Sequence, residues 1–412
     1  MVVSNEAGLS GTGIAGAETI IVGGGIVGCS IAYHLARLGH RDVLVVERGE
    51  FEGPPGSTGH APGLLGRNSA SPVMSALASY TADLLASVPR DRPAVTRVGS
   101  LEVTRDSRML AQLERKARVA ARNRIHARMV SPDELAELVP YLNVRPLAGG
   151  LFVPQDCVVD VMRGVDALRL EAQKVGVRFL ANTEVVGLLT SGDRVAGVRT
   201  TAGTVSAQRV VIAMGLWGAE FVREFGVELP LFPVQHPYIT TEPLSFLAGV
   251  SAEASRPLVR DVDRMFYLRE HGDRLGYGWY NHSPLESEVN HLRRADLEYA
   301  AGVFDSAVDL ELFPSLREAR VASRLNGVFS MTPDGGPLLG PVAGRQGLWI
   351  AEAVWITHAG GVGLAVAEAL LGREPSLDIS GFGLNRFRGK FVEECRRASL
   401  HSYNHIYTWP EE

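Results

Sequence analysis

A glycine-rich turn between an apolar strand and a helix constrains the fold of this chain more than any other feature. Residues 19–22 (TIIV) predict a buried parallel strand, and Gly23, Gly25 and Gly28 follow it in the spacing GxGxxG. Residues 28–38 then place apolar side chains at helical intervals. In a strand–turn–helix unit these glycines allow a tight turn, let the backbone approach a pyrophosphate and let the helix pack on the strand.

A second apolar run completes a βαβ unit. Residues 43–46 (VLVV) predict a neighbouring strand, and Glu47 ends it about 20 residues after the glycines, where an acidic side chain binds ribose hydroxyls in dinucleotide folds. A glycine-rich turn that binds nothing is the alternative, and the agreement of strand, glycines, helix and acid argues against it. The turn alone fits FAD and NAD equally well.

The composition gives no reason to expect nucleic acid or a membrane as a partner. The 412 residues contain 41 Lys and Arg against 46 Asp and Glu, which is a formal net charge of -5. The most apolar stretch, residues 347–372, is interrupted by charged side chains and does not predict a membrane span. The length fits two interleaved domains better than one core.

The N-terminus and the cysteines favour a cytoplasmic protein. Residues 1–17 lack the basic start and the apolar run of a signal peptide, so we expect a flexible leader. The chain has no CxxC pair, which predicts neither a metal site nor a disulfide framework; its three cysteines are Cys29, Cys157 and Cys395. Reduced cytosol is the simplest compartment for such a chain.

Three further features favour FAD over a nicotinamide cofactor. An apolar strand at residues 210–213 runs into a glycine turn, two more glycine turns (TPDGG and THAGGVG) come late in the chain, and the loop STGHAPGLL carries a single His60. A glycine turn that opens a helix is expected to place N–H groups near the flavin O2 carbonyl. The candidate cofactor residues of the strand and the two late turns are Ala213, Gly215, Trp217, Gly335, Gly336, His358, Gly360 and Gly361.

Four stretches, STGHAPGLL, YLREHGDRLGYGWY, NGVFSMTPDGGPLLG and AEAVWITHAGGVG, together resemble one family. The chain resembles, from about residue 18 to 412, the flavin half of the dimethylglycine oxidase, dimethylglycine dehydrogenase and sarcosine dehydrogenase family. That family belongs to the D-amino-acid-oxidase-like flavoproteins. The resemblance implies a mixed α/β and α+β fold, in which a Rossmann-like FAD domain of the glutathione-reductase type carries an inserted antiparallel-sheet substrate domain.

The resemblance also implies roles for individual residues. The histidine of the HAPG loop is joined covalently to the flavin in the family, which carries over to His60. The active-site histidine and tyrosine of the family match His236 and Tyr267. We expect His236 to accept the proton of the substrate amine or to select its free base, and Tyr267 to orient His236 or the substrate through its hydroxyl. Further side chains expected around the substrate are Tyr280, His282, Trp355 and His358.

Two departures from the family bear on the substrate. Relatives with a folate-binding half continue beyond residues 406–410, where this sequence stops. We expect a stand-alone oxidase without that half, and an excised piece of a longer protein is the alternative. The monomeric sarcosine oxidases bind the substrate carboxylate with a lysine in the late glycine turn, and residues 357–365 contain no cation. Arg67, just after the HAPG loop, is the candidate that could replace it, with an exposed arginine as the alternative.

The sequence therefore predicts an FAD-dependent enzyme that oxidises a C–N bond of a small secondary or tertiary amine and passes electrons to oxygen or to an electron-transfer protein. Three alternatives stay open. An NAD-dependent dehydrogenase would leave the HAPG loop and the late glycine turns unexplained. A tailoring oxidase of specialised metabolism would share the mechanism and act on an unusual amine or hydrazine. A regulatory subunit of pyruvate dehydrogenase phosphatase resembles the same family and acts through binding.

The predicted domain boundaries divide the chain into interleaved segments. The FAD domain is expected to comprise residues 18–100, 151–225 and 325–378, and the substrate domain residues 101–150 and 226–324. A C-terminal helical segment, residues 379–412, is expected to pack across the nucleotide domain.

Overall fold

The structure is a computed structural model that describes residues 15–53, 56–89, 91–250 and 252–409. Most of the predicted leader lies outside these residues, and the first strand begins at Ala17. No helix of the described residues is long and apolar enough to cross a membrane.

The described residues form strands that build two large sheets and one small sheet. In chain order the strands are β1 Ala17–Val22, β2 Val43–Val46, β3 Leu64–Leu65, β4 Val95–Arg97, β5 Ser100–Thr104, β6 Arg128–Val130, β7 Gly149–Val153, β8 Cys157–Val159, β9 Arg178–Leu180, β10 Val185–Ser191, β11 Arg194–Thr200, β12 Gly203–Ile212, β13 Phe232–Thr241, β14 Leu258–Asp261, β15 Phe266–His271, β16 Arg274–Trp279, β17 Asp296–Leu297, β18 Val321–Met331, β19 Leu338–Pro341 and β20 Leu348–Glu352.

The α-helices lie between these strands and at the C-terminal end of the described residues. They are α1 Ile26–Arg37, α2 Ser57–His60, α3 Pro72–Ser87, α4 Ser107–Arg122, α5 Pro132–Leu138, α6 Val161–Gln173, α7 Gly218–Arg223, α8 Ala301–Phe304, α9 Ser315–Glu318, α10 Ala359–Leu370 and α11 Val392–Asn404. Short 3-10 turns, among them Gly215–Trp217 and Ile356–His358, precede α7 and α10.

The first large sheet has a parallel centre in the order β9-β2-β1-β12-β20. Ile21 of β1 pairs with Val45 of β2 on one side and with Val211 of β12 on the other, and all three side chains are fully buried. Helix α1 packs against α6 and α10, and α10 packs against α3. Continuous apolar strands fit this arrangement because the helices cover the sheet and exclude water.

The second large sheet is mostly antiparallel, in the order β17-β18-β13-β16-β15-β14-β5-β7-β6. Its long central pair, β13 and β18, runs in register from Phe232 opposite Met331 to Thr240 opposite Ser323. Together with the parallel sheet, this confirms the predicted fold class.

Three predicted domain boundaries fall inside strands. Strand β5 crosses the boundary at 100/101, β7 the boundary at 150/151 and β18 the boundary at 324/325, and all three strands belong to the nine-stranded sheet. A strand hydrogen-bonds along its whole length to its neighbours, so the sheet keeps each strand in one unit.

Two local predictions are corrected by tertiary contacts. The stretch STGHAPGLL, residues 57–65, was expected to form a loop, but α2 and β3 form there, because α2 packs on α6 and β18 while β3 pairs with β8. Residues 379–412 were expected to form a helical segment across the nucleotide domain, but helix α11 begins at Val392 and packs on β13 and β18 of the nine-stranded sheet.

Candidate functional site

A cavity of about 660 Å³ is lined by residues from both large sheets. This volume lies within the range of roughly 300–1,000 Å³ that is usual for small-molecule sites. We call it the central cavity. Among the predicted site residues, its walls include Gly23, Gly25, Glu47, His60, Ala213, Gly215, Trp217, His236, Tyr267, Tyr280 and Trp355.

Gly23 and Gly28 shape the turn between β1 and α1. Gly23 has a φ of +108°, and a Cβ there would lie 2.1 Å from the carbonyl oxygen of Ala213. A Cβ on Gly28 would lie 1.9 Å from the carbonyl oxygen of Gly23. Only glycine allows β12, the turn and α1 to approach this closely. Gly25 lines the cavity, whereas Gly28 serves the packing of the helix on the turn.

The carboxylate of Glu47 is held at the cavity wall by two backbone amides. Its Oε2 accepts a hydrogen bond from the amide of Gly24 at 2.7 Å, and its Oε1 accepts one from the amide of Gly49 at 2.9 Å. Each carboxylate oxygen keeps further acceptor capacity. A buried carboxylate fixed in this way can accept hydrogen bonds from the hydroxyls of a ribose.

The residues around the glycine turn fit FAD. Helix α1 begins directly after the turn, and the N–H groups and dipole at a helix N-terminus favour a pyrophosphate. Glu47 supplies the acceptor for ribose hydroxyls, and the central cavity supplies the room. Trp217, on the same wall, is fixed by a 3.0 Å hydrogen bond from Nε1 to the carbonyl oxygen of Leu292.

His60 lies at the end of α2, half-buried on the wall of the cavity. Its Nδ1 is buried and has no hydrogen-bond partner among the residues that the structure describes. Its Nε2 lies 3.4 Å from a guanidinium nitrogen of Arg294 and 3.7 Å from a carboxylate oxygen of Asp296. Burial lowers the pKa of His60, an effect that Asp296 opposes and Arg294 reinforces, so the imidazole is neutral at physiological pH.

His236 on β13 and Tyr267 on β15 form a hydrogen-bonded pair on the wall of the same cavity. The Nε2 atom of His236 lies 2.8 Å from the hydroxyl of Tyr267, and both side chains are buried. Burial lowers the pKa of His236 well below its usual range and raises the pKa of Tyr267 well above its own. Both groups are therefore neutral in the resting protein, and the pair can accept and pass a proton.

Tyr403 on α11 completes the surroundings of His236. Its hydroxyl lies 2.8 Å from Nδ1 of His236 and 2.8 Å from Nε2 of His282, and its side chain is fully buried. Sequence analysis missed Tyr403, because no local pattern shows that a helix 167 residues after His236 packs on β13.

Arg269, also missed, fixes the loop that carries His60. It is buried on β15 and donates from one guanidinium nitrogen to the carbonyl oxygen of Pro62 at 2.6 Å, from Nε to the carbonyl oxygen of Glu270 at 2.8 Å, and from its other terminal nitrogen to Glu253. The YLREHG stretch drew attention for Tyr267, and the arginine two residues later in the same motif could have pointed to this structural role.

The late THAGGVG turn does not offer its glycine amides to the cavity. The N–H groups of Gly360 and Gly361 donate to Oγ1 of Thr81 at 3.0 and 3.1 Å. A Cβ on Gly361 would lie 2.7 Å from the Cα of Leu77. These glycines let α10 pack closely on α3, which corrects the expectation that their amides face the flavin.

The TPDGG turn is also closed on itself. The amide of Gly335 donates to the carbonyl oxygen of Thr332 at 3.2 Å, and the amide of Gly336 donates to Asp334 at 3.0 Å. Arg386 pairs with Asp334 at 2.8 Å and ties the turn to the C-terminal segment. The structure therefore gives Gly335 and Gly336 a role in this turn in place of the predicted contact with the cofactor.

Two of the four side chains that were expected around the substrate lie on the cavity wall, Tyr280 and Trp355. His282 lies behind Tyr403. His358 occupies the N-cap position of α10 without a side-chain capping bond, and it is not on the wall. Burial lowers the pKa of His358 to about 4, which keeps it neutral.

The predicted carboxylate-binding arginine is also corrected. Arg67 is buried, forms a 2.9 Å ion pair with Asp83 and is not on the wall of the cavity. Arg260 on β14 lies on that wall. It forms no ion pair within the described part of the chain, and the groups it interacts with include the hydroxyl of Tyr407 and the carboxyl of Asp156.

Comparison with known proteins places this site in a family. The profile described as "DAO: FAD dependent oxidoreductase" matches residues 18–369. Mitochondrial dimethylglycine dehydrogenase of Mus musculus is 29% identical, with 96% of this chain and 47% of the relative covered. Mitochondrial sarcosine dehydrogenase of Homo sapiens is 28% identical, with 95% and 44% covered. The crystal structure of L-proline dehydrogenase from P. horikoshii has the same fold, with a TM-score of 0.80, 22% identity, and 90% of this chain and 98% of that chain covered.

The fold and the cavity define a flavin-dependent oxidoreductase. The chain belongs to the DAO family of FAD-dependent oxidoreductases, and the family resemblance stated from the sequence is confirmed by the similarity to dimethylglycine and sarcosine dehydrogenases. The chain spans about half the length of these curated relatives.

Proposed function

We propose that the protein oxidises a C–N bond of a small secondary or tertiary amine of the N-methylglycine or N,N-dimethylglycine type. The observation that carries this proposal is the neutral His236–Tyr267 pair on the wall of the cavity that the glycine turn and Glu47 also line. Two proteins similar to this chain are a dimethylglycine dehydrogenase and a sarcosine dehydrogenase, and their names support this type of substrate.

The pair has a definite task in this chemistry. Bound FAD supplies the two-electron acceptor for oxidation of the C–N bond. The amine must lose its proton first, since a protonated nitrogen has no lone pair to assist bond cleavage. The Tyr267 oxygen can accept that proton while its own proton moves to Nε2 of His236, 2.8 Å away. The cavity wall orients the amine, and buried aromatic side chains such as Tyr280 exclude water.

Arg260 supports a substrate with a carboxylate. Two arginines line the cavity wall among the described residues: Arg48 stacks on Trp217, whereas Arg260 lies beside Tyr267 and Tyr280. Arg67, by contrast, is paired with Asp83 away from the wall. Asp156, an acidic group that interacts electrostatically with Arg260, already accepts hydrogen bonds from Ser100 at 2.5 Å and from the amide of Arg67 at 2.8 Å. The guanidinium fork therefore keeps donors for a ligand carboxylate.

The carboxylate contact is tested by Arg260→Gln. The KM for dimethylglycine should rise about 10- to 100-fold, because charge-assisted hydrogen bonds are lost. The KM for N,N-dimethylethanolamine, which has no carboxylate, should change little. Equal effects on both amines would remove Arg260 from substrate binding. Arg67→Gln is the control variant, and it should leave the ratio of the two KM values unchanged.

We also propose that His60 is bonded covalently to the FAD. A neutral, half-buried imidazole with an unpartnered ring nitrogen at the cavity wall is suited to this bond. The test is the absorption spectrum of the protein before and after acid precipitation. The yellow colour should stay in the wild-type and His126→Ala pellets and should wash out of the His60→Ala pellet. Colour that leaves the wild-type pellet would refute the covalent bond and leave the binding of FAD standing.

The activity is tested by anaerobic bleaching of the flavin with sarcosine and dimethylglycine. Bleaching by either amine supports the proposal. Bleaching by another amine or a hydrazine in a wider screen would favour the tailoring oxidase. A yellow protein that no amine bleaches would favour a role through binding.

A further inference from the structure

The His236–Tyr267 pair continues away from the cavity through two more side chains. The Nδ1 atom of His236 lies 2.8 Å from the Tyr403 hydroxyl, which lies 2.8 Å from Nε2 of His282. The Nδ1 atom of His282 lies 2.9 Å from the carbonyl oxygen of Ser283, an exposed residue. Four hydrogen bonds in series thus connect the cavity wall with the protein surface.

The positions of the protons in this series follow from its last hydrogen bond, between Nδ1 of His282 and the carbonyl oxygen of Ser283. A carbonyl oxygen only accepts, so Nδ1 of His282 carries a proton and its Nε2 is an acceptor in the neutral ring. The Tyr403 hydroxyl has two acceptors in reach, Nε2 of His282 at 2.8 Å and the carbonyl oxygen of Gln235 at 3.0 Å. Donation to the nearer His282 nitrogen pairs its lone pair, and Tyr403 then accepts from Nδ1 of His236. The Nε2 atom of His236 is left as the acceptor for the hydroxyl of Tyr267.

We propose that Tyr403 and His282 extend the Tyr267–His236 pair into a relay that carries the proton of the bound amine to His282. This inference rests on the proposed amine oxidation. The amine proton binds the Tyr267 oxygen, and the Tyr267 proton moves to Nε2 of His236. The Nδ1 proton of His236 moves to Tyr403, and the Tyr403 proton moves to Nε2 of His282. One proton leaves the substrate, one arrives at His282, and no electrons are transferred.

A backbone carbonyl gives the Tyr403 hydroxyl a second acceptor when His282 is charged. The Tyr403 hydroxyl also lies 3.0 Å from the carbonyl oxygen of Gln235. After the transfer Nε2 of His282 donates to Tyr403, and the hydroxyl donates to Nδ1 of His236, which has given up its proton. When His282 is instead protonated from solvent and Nδ1 of His236 keeps its proton, the hydroxyl turns its own proton to the Gln235 carbonyl. Its proton therefore has an acceptor in each of these states, and no buried donor is left without a partner.

The surrounding groups favour a proton on His282 over a proton on His236. His236 is enclosed by the phenols of Tyr267, Tyr280 and Tyr403, and a charge on His282 further disfavours a charge on it. Burial lowers the pKa of both rings, but the Ser283 carbonyl opposes this effect at His282. The other groups facing His282 are the Phe304 ring and the Tyr403 phenol, neither of which is charged.

The first test needs no substrate. Long-range ¹H–¹⁵N NMR of protein labelled with ¹⁵N-histidine, assigned with His236→Gln and His282→Gln, should show both rings as the Nδ1–H tautomer near neutral pH. In Tyr403→Phe the signals of both rings should shift. Either ring found as the Nε2–H tautomer in the wild type would overturn the relay, whatever the substrate proves to be.

The second test is the pH profile of flavin bleaching by saturating dimethylglycine. At low pH His282 is already protonated and cannot accept the proton from Tyr403, so the wild-type rate of bleaching should fall on the acid side of the profile. His282→Gln keeps an acceptor for Tyr403 but no base, so the rate should drop about 100-fold and the acid limb should vanish. Tyr403→Phe should behave similarly. Wild-type rates and profiles in both variants would refute the relay.

The chain offers a matched control for the loss of a tyrosine–histidine hydrogen bond. His34 also places Nδ1 against a backbone carbonyl, that of Ser30 at 2.7 Å, and its Nε2 lies 3.0 Å from the hydroxyl of Tyr80, away from the cavity wall. Tyr80→Phe should shift the NMR signals of His34 and leave the bleaching rate and its pH profile unchanged. A failure of wild type to bleach with any amine would count against the proposed function, and the NMR test would still decide the tautomers.

Discussion

The guanidinium of Arg269 donates a 2.6 Å hydrogen bond to the carbonyl oxygen of Pro62, which lies 207 residues earlier and two residues after His60. The same side chain binds Glu253 and the carbonyl oxygen of Glu270. Arg269 is two residues from Tyr267 on β15. One buried cation therefore fixes the position of the His60 loop relative to the strand that carries Tyr267.

Replacing Arg269 should loosen this loop. In Arg269→Lys the charge remains, but a single ammonium group cannot reproduce three donors in a planar fork. We expect a loss of about 1–3 kcal/mol in the free energy of unfolding and a smaller fraction of acid-stable flavin. Arg105→Lys is the control, since Arg105 pairs with Asp261 at 2.8 Å away from the cavity wall. An unchanged flavin fraction in Arg269→Lys would contradict this role.

Gly28→Ala should prevent the glycine turn from forming. The new Cβ would lie 1.9 Å from the carbonyl oxygen of Gly23, which is backbone and cannot move aside without opening the turn. We expect colourless or unfolded protein, measured as the ratio of flavin absorbance to protein absorbance. Gly302→Ala is the control, because nothing lies within 4 Å of a Cβ on that helical glycine. Full flavin content in Gly28→Ala would show that the turn adapts.

Tyr267→Phe should slow flavin bleaching without preventing substrate binding. The variant keeps the ring in the sheet and removes the oxygen that receives the amine proton, so we expect a loss of about 100-fold in the limiting rate. The apparent dissociation constant for dimethylglycine should stay within a few-fold. Tyr299→Phe removes a hydroxyl bonded to Asp305 at 2.8 Å and should have no effect on the rate. A Tyr267→Phe rate close to that of wild type would exclude the tyrosine from proton transfer.

Glu352→Gln should make the stability of the protein less sensitive to pH. Oε1 of Glu352 accepts from the amide of Met214 at 2.6 Å, Oε2 is buried without a partner in the described chain, and burial raises the pKa of the carboxyl well above its usual range. The unfolded carboxyl ionises near pH 4.5 while the folded one stays protonated. Wild-type stability should therefore fall by up to about 1.4 kcal/mol per pH unit from there to the folded pKa.

The measurement is denaturant unfolding of wild type and Glu352→Gln at several pH values between 4 and 8. The glutamine keeps an oxygen for the Met214 amide and carries no proton equilibrium. The variant should gain stability relative to wild type as the pH rises, and the gain should be absent below pH 4.5. The exposed Glu137→Gln on α5 controls for the change of charge. A constant difference across this range would show that Glu352 is ionised in the folded protein.

Local sequence was sufficient to predict the nucleotide-binding half of the site. The β1–turn–α1 unit, β2 and Glu47 lie within about thirty consecutive residues, so the apolar periods and the glycine spacing determine them directly. The Gly28 contact with Gly23 and the bonds of Glu47 agree with that prediction. Resemblance added His60, His236 and Tyr267, and the structure brings all three to the wall of one cavity.

Tertiary structure alone decided which polar groups are free and which are occupied. The amides of Gly360 and Gly361 look available in the sequence, but α3 lies close enough for Thr81 to take both. Arg67 looked available for a carboxylate, but Asp83 pairs with it. Tyr403 carries no motif, but the packing of α11 places it on His236. Hydrogen bonds between distant segments depend on how helices and sheets pack together, and periodicity along the chain holds no information about that packing.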